Sequence, residues 1–355
     1  MKITILGAGA MGSALTVPLT DRRHEVALWC TDHDAKIYHA LSTGKPHPGL
    51  ATRLPDSIRV YKSSQLEEAI AGAELLILGV STPGVLPVLR QAAPYLCSGT
   101  PVLTAAKGFL PGQAIPEPVP SGIQRQLQSL CPEAKPPVLC MTGPSIAEEL
   151  VRRQPTAAAV ASEAQGLVEA VCERLATDYF WLDSVQDLRG LEICLAYKNI
   201  YSIALAWTEG LDEAAGRASV QNLSAILLLQ AVHELRELIV ACHGNPDTAN
   251  GWSGLGDLVA TSGGGRNGRF GQLLATGKTP DEAAATLEAE GITTIEGRSA
   301  APHGFDYAAQ KLGNDWAKHL PLVHAIQQVL EERKTVREIV AQLHLFREDN
   351  EATMP

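Results

Sequence analysis

The chain has 355 residues, more than one hydrophobic core usually supports, so we expect two domains. Hydrophobic residues make up 45% and charged residues 19%, which excludes long disordered segments. The formal net charge of -10 disfavours nucleic acid or an anionic membrane as the main partner, so an anionic substrate would need a local basic site. No stretch approaches the roughly 20 apolar residues that span a bilayer, and we expect a cytoplasmic protein.

The cysteines give no sign of a metal site or a disulfide framework. Their number is odd, and they are scattered without a C-x-x-C pair or a cluster with histidines. The seven are Cys30, Cys97, Cys131, Cys140, Cys172, Cys194 and Cys242. We therefore expect buried, reduced thiols and no bound metal.

The first half of the chain alternates short apolar runs with helical or loop-like sequence. A β-branched run stops at Gly7, and a helix is predicted from about Met11. A proline-rich surface excursion, with a short helix over Ile123–Leu130, is predicted between residues 110 and 137. Strands are predicted at Lys2–Leu6, Glu25–Trp29, Leu75–Val80, Pro101–Ala105, Val138–Met141 and Thr156–Ala161. This alternation predicts an α/β fold with a doubly wound Rossmann sheet.

Strand patterns end near Asp187–Gly190, and helical patterns follow. The predicted helices are Leu191–Thr208, Val220–Ala241, Pro280–Ala289 and Leu322–Leu345. We therefore expect a Rossmann domain over residues 1–188 and an all-helical substrate domain over residues 189–345. Residues 346–355 are predicted to be a frayed tail.

A glycine-rich turn follows the first predicted strand directly. Residues 7–12 read GAGAMG, the G-x-G-x-x-G spacing, and a helix begins within it. Glycines at these positions permit a tight turn, close approach to a pyrophosphate, and close packing of helix on strand. We expect a dinucleotide to be held by Gly7, Gly9, Ala10, Met11 and Gly12; the alternative is a glycine-rich turn without a ligand.

The residues after the second predicted strand should choose the cofactor. An acid there would bind the ribose 2′-hydroxyl of NAD, and an Arg would favour NADP. The strand ends Trp29, Cys30, Thr31, Asp32. Asp32 could take the NAD role or be a solvated turn residue, and Thr31 could donate to a 2′-phosphate. Both NAD and NADP stay open.

One lysine stands alone in an apolar helix. Lys198 is the only charged residue between positions 193 and 208, and it shares a helical face with Leu191, Leu195, Tyr201 and Leu205. Desolvation lowers the pKa of an amine toward the range useful for proton transfer near neutral pH. Lys198 is therefore a candidate general acid/base; a snorkelling lysine, or one paired with a structural carboxylate, is the alternative.

A second glycine-rich segment carries basic residues. Residues 263–271 read GGGRNGRFG. Glycines allow successive N–H groups to point inward as an anion-binding nest on a mobile backbone, and Arg266 can add a forked hydrogen bond to a phosphate. The alternative is a flexible exposed loop.

Seven short motifs in this order resemble the NAD(P)-dependent glycerol-3-phosphate dehydrogenase family. They are GAGAMG at residue 7, KG at Lys107, GPS with AEE over Gly143–Glu149, LAYKN around Lys198, GLGDL at 254, RNGRFG at 266 and IEG at 295. The motifs cover nearly the whole chain. Together they are far more specific than the first glycine motif alone.

The resemblance implies interconversion of dihydroxyacetone phosphate and glycerol 3-phosphate, supplying glycerophospholipid backbones. Hydride would pass between the substrate C2 and the nicotinamide of NAD or NADP, with Lys198 exchanging the proton of the C2 hydroxyl. The implied catalytic group is Lys198, Asn199, Asp257 and Lys107. The implied substrate and phosphate contacts are Lys107, Lys198, Asp257, Thr261, Arg266 and Asn267. To Thr31 and Asp32, which follow the second predicted strand, the resemblance adds these cofactor contacts outside the first turn: Lys107, Gly143, Ser145, Ala147, Arg266 and Glu296.

Some positions depart from the family pattern. Many members have basic residues where this chain has Ser224 and Gln230, and often Ser where it has Gly265. We therefore keep two alternatives: a related dehydrogenase of the opine or ketopantoate type, and a catalytically silent NAD(P)H-binding sensor. The GGGRN segment favours a phosphorylated substrate, and Lys107, Lys198 and Asp257 disfavour a sensor. A largely apolar helical domain leads us to expect a homodimer.

Overall fold

The computed structural model describes residues 1–96, 99–112, 115–164, 166–215, 221–262 and 264–343. Several predictions lie outside this part of the chain. They concern Cys97, Gly263, the first residue of the helix predicted at 220–241, the last two of the helix predicted at 322–345, and the tail over 346–355.

The described residues form one sheet in the order β3-β2-β1-β4-β5-β6-β7-β8. The strands are β1 Lys2–Leu6, β2 Glu25–Trp29, β3 Arg59–Tyr61, β4 Leu75–Leu78, β5 Val102–Thr104, β6 Val138–Thr142, β7 Thr156–Ser162 and β8 Phe180–Ser184. Neighbouring strands run parallel except β6 and β7, which are antiparallel. The order reverses direction between β1 and β4, as in a doubly wound fold, and the predicted Rossmann class is confirmed.

All six predicted strands are present, and the sequence analysis missed β3 and β8. Both lie at the two ends of the described sheet. β3 has three residues and none is buried, while in β8 only Phe180 is buried and Trp181 is exposed. Such partly solvated strands lack the continuous apolar run that marks the central parallel strands.

Helices cover both faces of the sheet. They are α1 Ala10–Asp21, α2 Ala35–Ser42, α3 Leu66–Ile70, α4 Thr82–Ala92, α5 Val119–Leu130, α6 Ala147–Leu150 and α7 Leu167–Leu175. Because side chains alternate along a strand, β1 serves two cores. Ile3 and Ile5 pack in one buried cluster, and Leu6 packs in the cluster on the other face.

From α8 onward, the described residues form helices joined by turns. These helices are α8 Leu188–Leu205, α9 Trp207–Ala215, α10 Gln221–Ala241, α11 Asp257–Ser262, α12 Gly265–Ala275, α13 Pro280–Ala289, α14 Glu296–Leu312, α15 Trp316–His319, α16 Pro321–Leu330 and α17 Val336–Gln342. Every residue of α8 from Gly190 to Leu205 is buried, which explains why its sequence is apolar all round. We propose to divide the chain at residues 188–189, because the last described strand ends at Ser184.

The helix predicted over Leu322–Leu345 was wrong as one element. α16 ends at Leu330, Arg333 has a φ of 57°, and α17 begins after Thr335. Thr335 and Glu338 form a capping box, in which each side chain satisfies backbone N–H groups at the start of the new helix. The S/T-x-x-E capping signal therefore starts a new helix here, although the apolar periodicity continues through it.

The nest expected on a mobile backbone over residues 263–271 was wrong from Gly265 onward, where α12 begins. A Cβ on Gly271 would collide with the Ile203 carbonyl of α8, and Phe270 is fully buried. Gly271 therefore allows close contact between α12 and α8 instead of providing flexibility.

The described cysteines are free thiols. Five are buried, as predicted, and Cys242 is partly exposed. Within the described ranges, no helix has the length and apolar character needed to cross a membrane.

Candidate active site

The first glycine-rich turn has the geometry of a dinucleotide cradle. Gly7 has a φ of 108°, and a Cβ there would collide with the Val80 side chain. A Cβ on Gly12 would lie 2.5 Å from the Gly7 carbonyl oxygen, so side chains at either position would open the turn. The turn therefore depends on glycine for shape and for close packing of α1 against β1 and the end of β4.

The accessible part of this turn fits a pyrophosphate. Gly9 is the N-cap of α1, and no side chain caps the helix there. Ala8 is buried, whereas Gly9, Ala10 and Met11 reach the surface. The first N–H groups of a helix lack intrahelical partners and carry partial positive charge, so these residues would hold a dinucleotide through its phosphates.

Asp34, which the sequence analysis missed, faces the glycine-rich turn. Its Oδ2 accepts hydrogen bonds from the Thr31 N–H at 2.9 Å, the Thr31 hydroxyl at 2.8 Å and the Ala8 N–H at 3.2 Å. Asp32 is exposed. The T-x-x-D spacing of a capping box was the available signal. The roles suggested for Thr31 and Asp32 stay predictions, and so does the choice between NAD and NADP.

A buried carboxylate joins the sheet to the helical region. Asp257 is 1% exposed, and its Oδ2 accepts hydrogen bonds from the Lys107 ammonium group and, at 2.9 Å, from the Thr142 hydroxyl. The Lys198 Nζ lies 3.7 Å from the other oxygen, Oδ1. Lys107 follows β5, Thr142 ends β6 and Lys198 lies on α8, so three elements converge on one carboxylate. We call Lys107, Thr142, Lys198 and Asp257 the lysine–aspartate cluster.

Burial and neighbouring charge set the titration of this cluster. Burial of the Lys198 ammonium group, with repulsion from Lys107, lowers the pKa of Lys198 to about 8, although Asp257 and Glu296 act in the opposite direction. Burial alone would raise the pKa of the Asp257 carboxyl, but Lys107 and Lys198 hold it below its ordinary value. Asp257 is therefore charged near neutral pH, and Lys198 can give up or take a proton.

Lys198 does not snorkel. It is 8% exposed, on a helix that is buried throughout. Its carboxylate partner, Asp257, has a second lysine on the opposite oxygen, which leaves the pairing with Lys198 looser than a direct hydrogen bond. This arrangement suits a proton-transfer group better than a simple structural ion pair.

The first turns of α12 and α14 bring three predicted residues together. Arg266 forms an ion pair with Glu296, and the Asn267 Oδ1 accepts a hydrogen bond from the Gly297 N–H at 2.8 Å. A Cβ on Gly297 would collide with the Asn199 carbonyl, so α14 begins directly against α8 beside Lys198. Two helix N-termini and a half-exposed arginine make this place suitable for a phosphate.

The other predicted residues lie on α11, after Asp257, and in the loop that follows β6. The Thr261 hydroxyl donates to the Asp257 carbonyl at 2.7 Å and lies 3.4 Å from the Ser202 hydroxyl of α8. In the loop after β6, the Ser145 hydroxyl donates to the Gly143 carbonyl, and Ala147 begins α6. The π-helical turn Trp252–Gly256, which precedes Asp257, lies beside this loop. A Cβ built on Gly256 would be in van der Waals contact with the Pro144 Cδ, at 3.4 Å.

Two threonines of this site were missed from the sequence. Thr142 is the last residue of β6, one position beyond the predicted end of that strand. The Thr82 hydroxyl donates to the Lys107 carbonyl at 2.6 Å and so fixes the backbone of that lysine. Carboxyl ends of parallel strands are where ligands bind in such sheets, and this rule was the available signal for Thr142.

Two of the three departures from the family pattern, Ser224 and Gln230, bond to residues outside the lysine–aspartate cluster, whereas Gly265 begins α12 next to Arg266. The Gln230 side chain is buried and donates to Glu234 at 2.9 Å, and Glu234 accepts the backbone N–H groups of Leu322 and Val323 at the start of α16. The Ser224 hydroxyl donates to the Thr208 hydroxyl at 3.0 Å. Gln230 therefore serves the packing of α10 against α16.

The fold and the cluster together define an NAD(P)-dependent dehydrogenase. Residues 2–168 match the family described as NAD-dependent glycerol-3-phosphate dehydrogenase N-terminus, and residues 187–341 match the corresponding C-terminus. The chain belongs to the NAD(P)-dependent glycerol-3-phosphate dehydrogenase family.

Similar proteins share nearly the full length of the chain. The NADP(+)-dependent glycerol-3-phosphate dehydrogenase of Archaeoglobus fulgidus is 37% identical, covering 98% of this chain and 100% of that protein. The glycerol-3-phosphate dehydrogenase [NAD(P)+] of Myxococcus xanthus is 30% identical, covering 97% and 96%. The crystal structure of glycerol-3-phosphate dehydrogenase from Coxiella burnetii superposes with a TM-score of 0.78 at 25% identity, covering 96% and 98%.

Proposed function

We propose that this chain interconverts dihydroxyacetone phosphate and sn-glycerol 3-phosphate with NAD or NADP, and supplies backbones for glycerophospholipids. The observation that carries the proposal is the buried Lys198, held beside Asp257 where the sheet meets the first turns of α12 and α14. Lys198, the proton-transfer group, would therefore lie between the phosphate site and the edge of the sheet that binds the cofactor.

The cofactor would be held by Gly9, Ala10 and Met11 at its phosphates and by Gly143, Ser145 and Ala147 at its nicotinamide end. When bound, the nicotinamide supplies or accepts the hydride at the substrate C2. Lys198 exchanges the accompanying proton with the oxygen at C2. In the reducing direction its ammonium group donates a proton to the carbonyl oxygen at C2, and in the oxidising direction its neutral amine accepts the hydroxyl proton.

Asp257 and Lys107 act on Lys198 by charge and position. The Asp257 carboxylate orients the Lys198 amine and opposes the loss of its proton, while the Lys107 charge favours that loss. Lys107 is 20% exposed, so its ammonium group can also reach a substrate oxygen. These opposing effects keep Lys198 close to the pH range where both protonation states are populated.

The phosphate would bind at the facing N-termini of α12 and α14. Arg266 is 53% exposed at its side chain and can form charge-assisted hydrogen bonds to phosphate oxygens. Glu296 already accepts from Arg266, so it would limit the freedom of the guanidinium and hold it near the site.

The test is to follow oxidation of NADH and of NADPH with dihydroxyacetone phosphate, and with unphosphorylated dihydroxyacetone as the matched control. We expect turnover with the phosphorylated ketone and at least tenfold weaker use of the control, because the control loses the Arg266 contacts. Absence of turnover with dihydroxyacetone phosphate and both cofactors would overturn the proposal.

We also propose a cytoplasmic homodimer. The free cysteine thiols of the described residues suit a reducing compartment. On α10, Ile226, Leu229 and Val240 are exposed apolar side chains, which a second copy of the chain would cover. Light scattering after size-exclusion chromatography should give twice the chain mass; the mass of one chain would contradict the dimer.

A further inference from the structure

One buried histidine lies outside the lysine–aspartate cluster. His47 is 2% exposed and follows α2, in a short segment whose two ends pair as an isolated bridge between His47 and Thr52. Leu50, within the same segment, is buried in the core on one face of the sheet. The histidine ring is therefore held by packing, and both of its nitrogens have polar neighbours.

The neighbours of the ring define its tautomer. Nδ1 lies 3.1 Å from the Gly49 backbone nitrogen and 3.2 Å from that of Leu50. Both are N–H donors, so Nδ1 must accept and carries no proton. Nε2 then carries the proton of the neutral ring and donates to the Ala8 carbonyl oxygen at 2.9 Å.

Ala8 is thus held from two sides by side chains. Its carbonyl accepts from His47 at 2.9 Å and from the Ser13 hydroxyl of α1 at 3.0 Å, and its N–H donates to Asp34 at 3.2 Å. His47 and Asp34 come from segments that follow β2, and Ala8 lies between the two glycines of the dinucleotide cradle. The middle residue of the turn is therefore held by Ser13 of α1 and by two groups from outside the turn.

The direction of the Ala8 carbonyl determines where the next N–H points. In a trans peptide the C=O of Ala8 and the N–H of Gly9 point in opposite directions. Because the Ala8 carbonyl is directed inward to His47, the Gly9 N–H is directed outward, to the accessible side of the turn. Gly9 itself tolerates most backbone angles, so the two side-chain donors to the Ala8 carbonyl, His47 and Ser13, are what hold this peptide against rotation.

We propose that His47 is a positioning residue for the dinucleotide, which aims the Gly9 N–H at the pyrophosphate by holding the Ala8 carbonyl. It contacts neither substrate nor reacting atoms, so its loss should weaken cofactor binding and leave the chemical step at saturating cofactor nearly unchanged. The inference rests on the proposed role of the glycine-rich turn in binding the cofactor.

Two substitutions separate the two nitrogens of the ring. His47→Asn keeps an acceptor near the position of Nδ1 and loses the donor to Ala8. His47→Gln places an amide donor near the position of Nε2 and loses the acceptor. We expect the Kd for NADH or NADPH, measured by calorimetry on the whole chain, to rise about tenfold in the Asn variant and less than threefold in the Gln variant.

Thr52→Val is the matched control. It removes the hydroxyl that donates to the Leu50 carbonyl in the same segment but keeps the bond from His47 to Ala8. We expect an unchanged Kd for the cofactor, and kcat at saturating cofactor within twofold of the parent in all three variants. Thermal unfolding of each variant ensures that only folded proteins are compared.

Equal Kd values for the Asn and Gln variants, or an Asn variant that binds like the parent, would overturn the role of His47. A parent chain that binds neither dinucleotide would overturn the proposed function as well. The two failures are distinguishable because only the second is seen in the unsubstituted protein.

Discussion

The sheet and the helical region contribute different kinds of group to the site. At the glycine-rich turn the sheet offers backbone N–H groups, and Gly7 and Gly12 are required for shape. The helical region offers charged side chains, with Lys198 and Asp257 buried beside each other. A side chain added to the glycine-rich turn would disrupt it by steric collision. The buried pair in the helical region would instead be disrupted by removing or adding a charge.

Lys107 and Thr142 show how the two regions depend on each other. Both belong to the sheet region, and both donate to the Asp257 carboxylate from the helical region. The pKa of Lys198 is thus set partly by a lysine from the other half of the chain. Substitutions that separate cofactor binding from proton transfer will test this division.

The largest effect should come from Lys198→Met, which keeps the length of the buried side chain and removes the amine. We expect kcat to fall by about two to four orders of magnitude, the usual range for losing a general acid/base. The Kd for the cofactor should stay within twofold, because the glycine-rich turn is unaffected.

Lys318→Met is the control for Lys198→Met, since it removes a lysine whose side chain is 78% exposed. Its kcat should equal that of the parent. Normal turnover in Lys198→Met would remove this lysine from the mechanism.

A smaller effect is expected from Arg266→Ala. Loss of charge-assisted hydrogen bonds should raise KM for dihydroxyacetone phosphate by about 10- to 100-fold and change kcat less. Arg269→Ala is the matched control, because Arg269 lies on the same helix and pairs with Glu290. If KM for unphosphorylated dihydroxyacetone rose equally, the phosphate role of Arg266 would be contradicted.

Substitutions at Thr142 test the hydrogen bond that links the sheet to Asp257 of the helical region, and should have a smaller effect. Thr142→Val removes the hydroxyl that donates to Asp257 and keeps the shape of the side chain, so kcat should fall by about fivefold to tenfold. Thr142→Ser keeps the hydroxyl and should stay within twofold of the parent. A Ser variant as slow as the Val variant would point to packing as the cause.

Glu234→Gln should affect activity least, since Glu234 lies in the helical core. Burial raises the pKa of Glu234 to about 7 in the folded protein, against 4.5 for its ordinary value. The folded state then binds more protons than the unfolded state between these values, so stability from this group falls as pH rises from about 4.5 to 7. The Gln variant should lack this contribution.

The measurement is the free energy of unfolding in urea at pH 5 and pH 7. The loss of unfolding free energy between pH 5 and pH 7 should be smaller by about 1–3 kcal/mol in Glu234→Gln than in the parent. Glu288→Gln, at an exposed position of α13, is the control and should follow the parent. If the unfolding free energy changed equally between the two pH values in all three proteins, Glu234 would be ionised in the folded state at both.

The strongest sequence signals were those of a single element. A lone charge in an apolar helix identified Lys198 as unusual, and regular spacing located the glycine-rich turn. Local patterns failed where packing between elements decides the structure. The glycines of α12 indicated a loop by propensity, yet Gly271 is there because α8 passes too close for any side chain.

No local sequence pattern predicts contacts between residues that are far apart in the chain. Asp257 meets Lys107 across 150 positions, and only the resemblance to the family placed them together. Asp34 was missed because it faces the cradle through three hydrogen bonds at one turn, which distance from the strand end does not reveal. The role of Asp32 stays a prediction.

The most direct test of the account is the pH dependence of kcat/KM in both directions between pH 6.5 and 9.5. Lys198 must be neutral to accept a proton and charged to donate one, and its pKa is lowered to about 8. Oxidation of glycerol 3-phosphate should therefore rise through this pH and level off, while reduction of dihydroxyacetone phosphate should fall above it. Profiles that change in the same sense in both directions would contradict the assignment of Lys198.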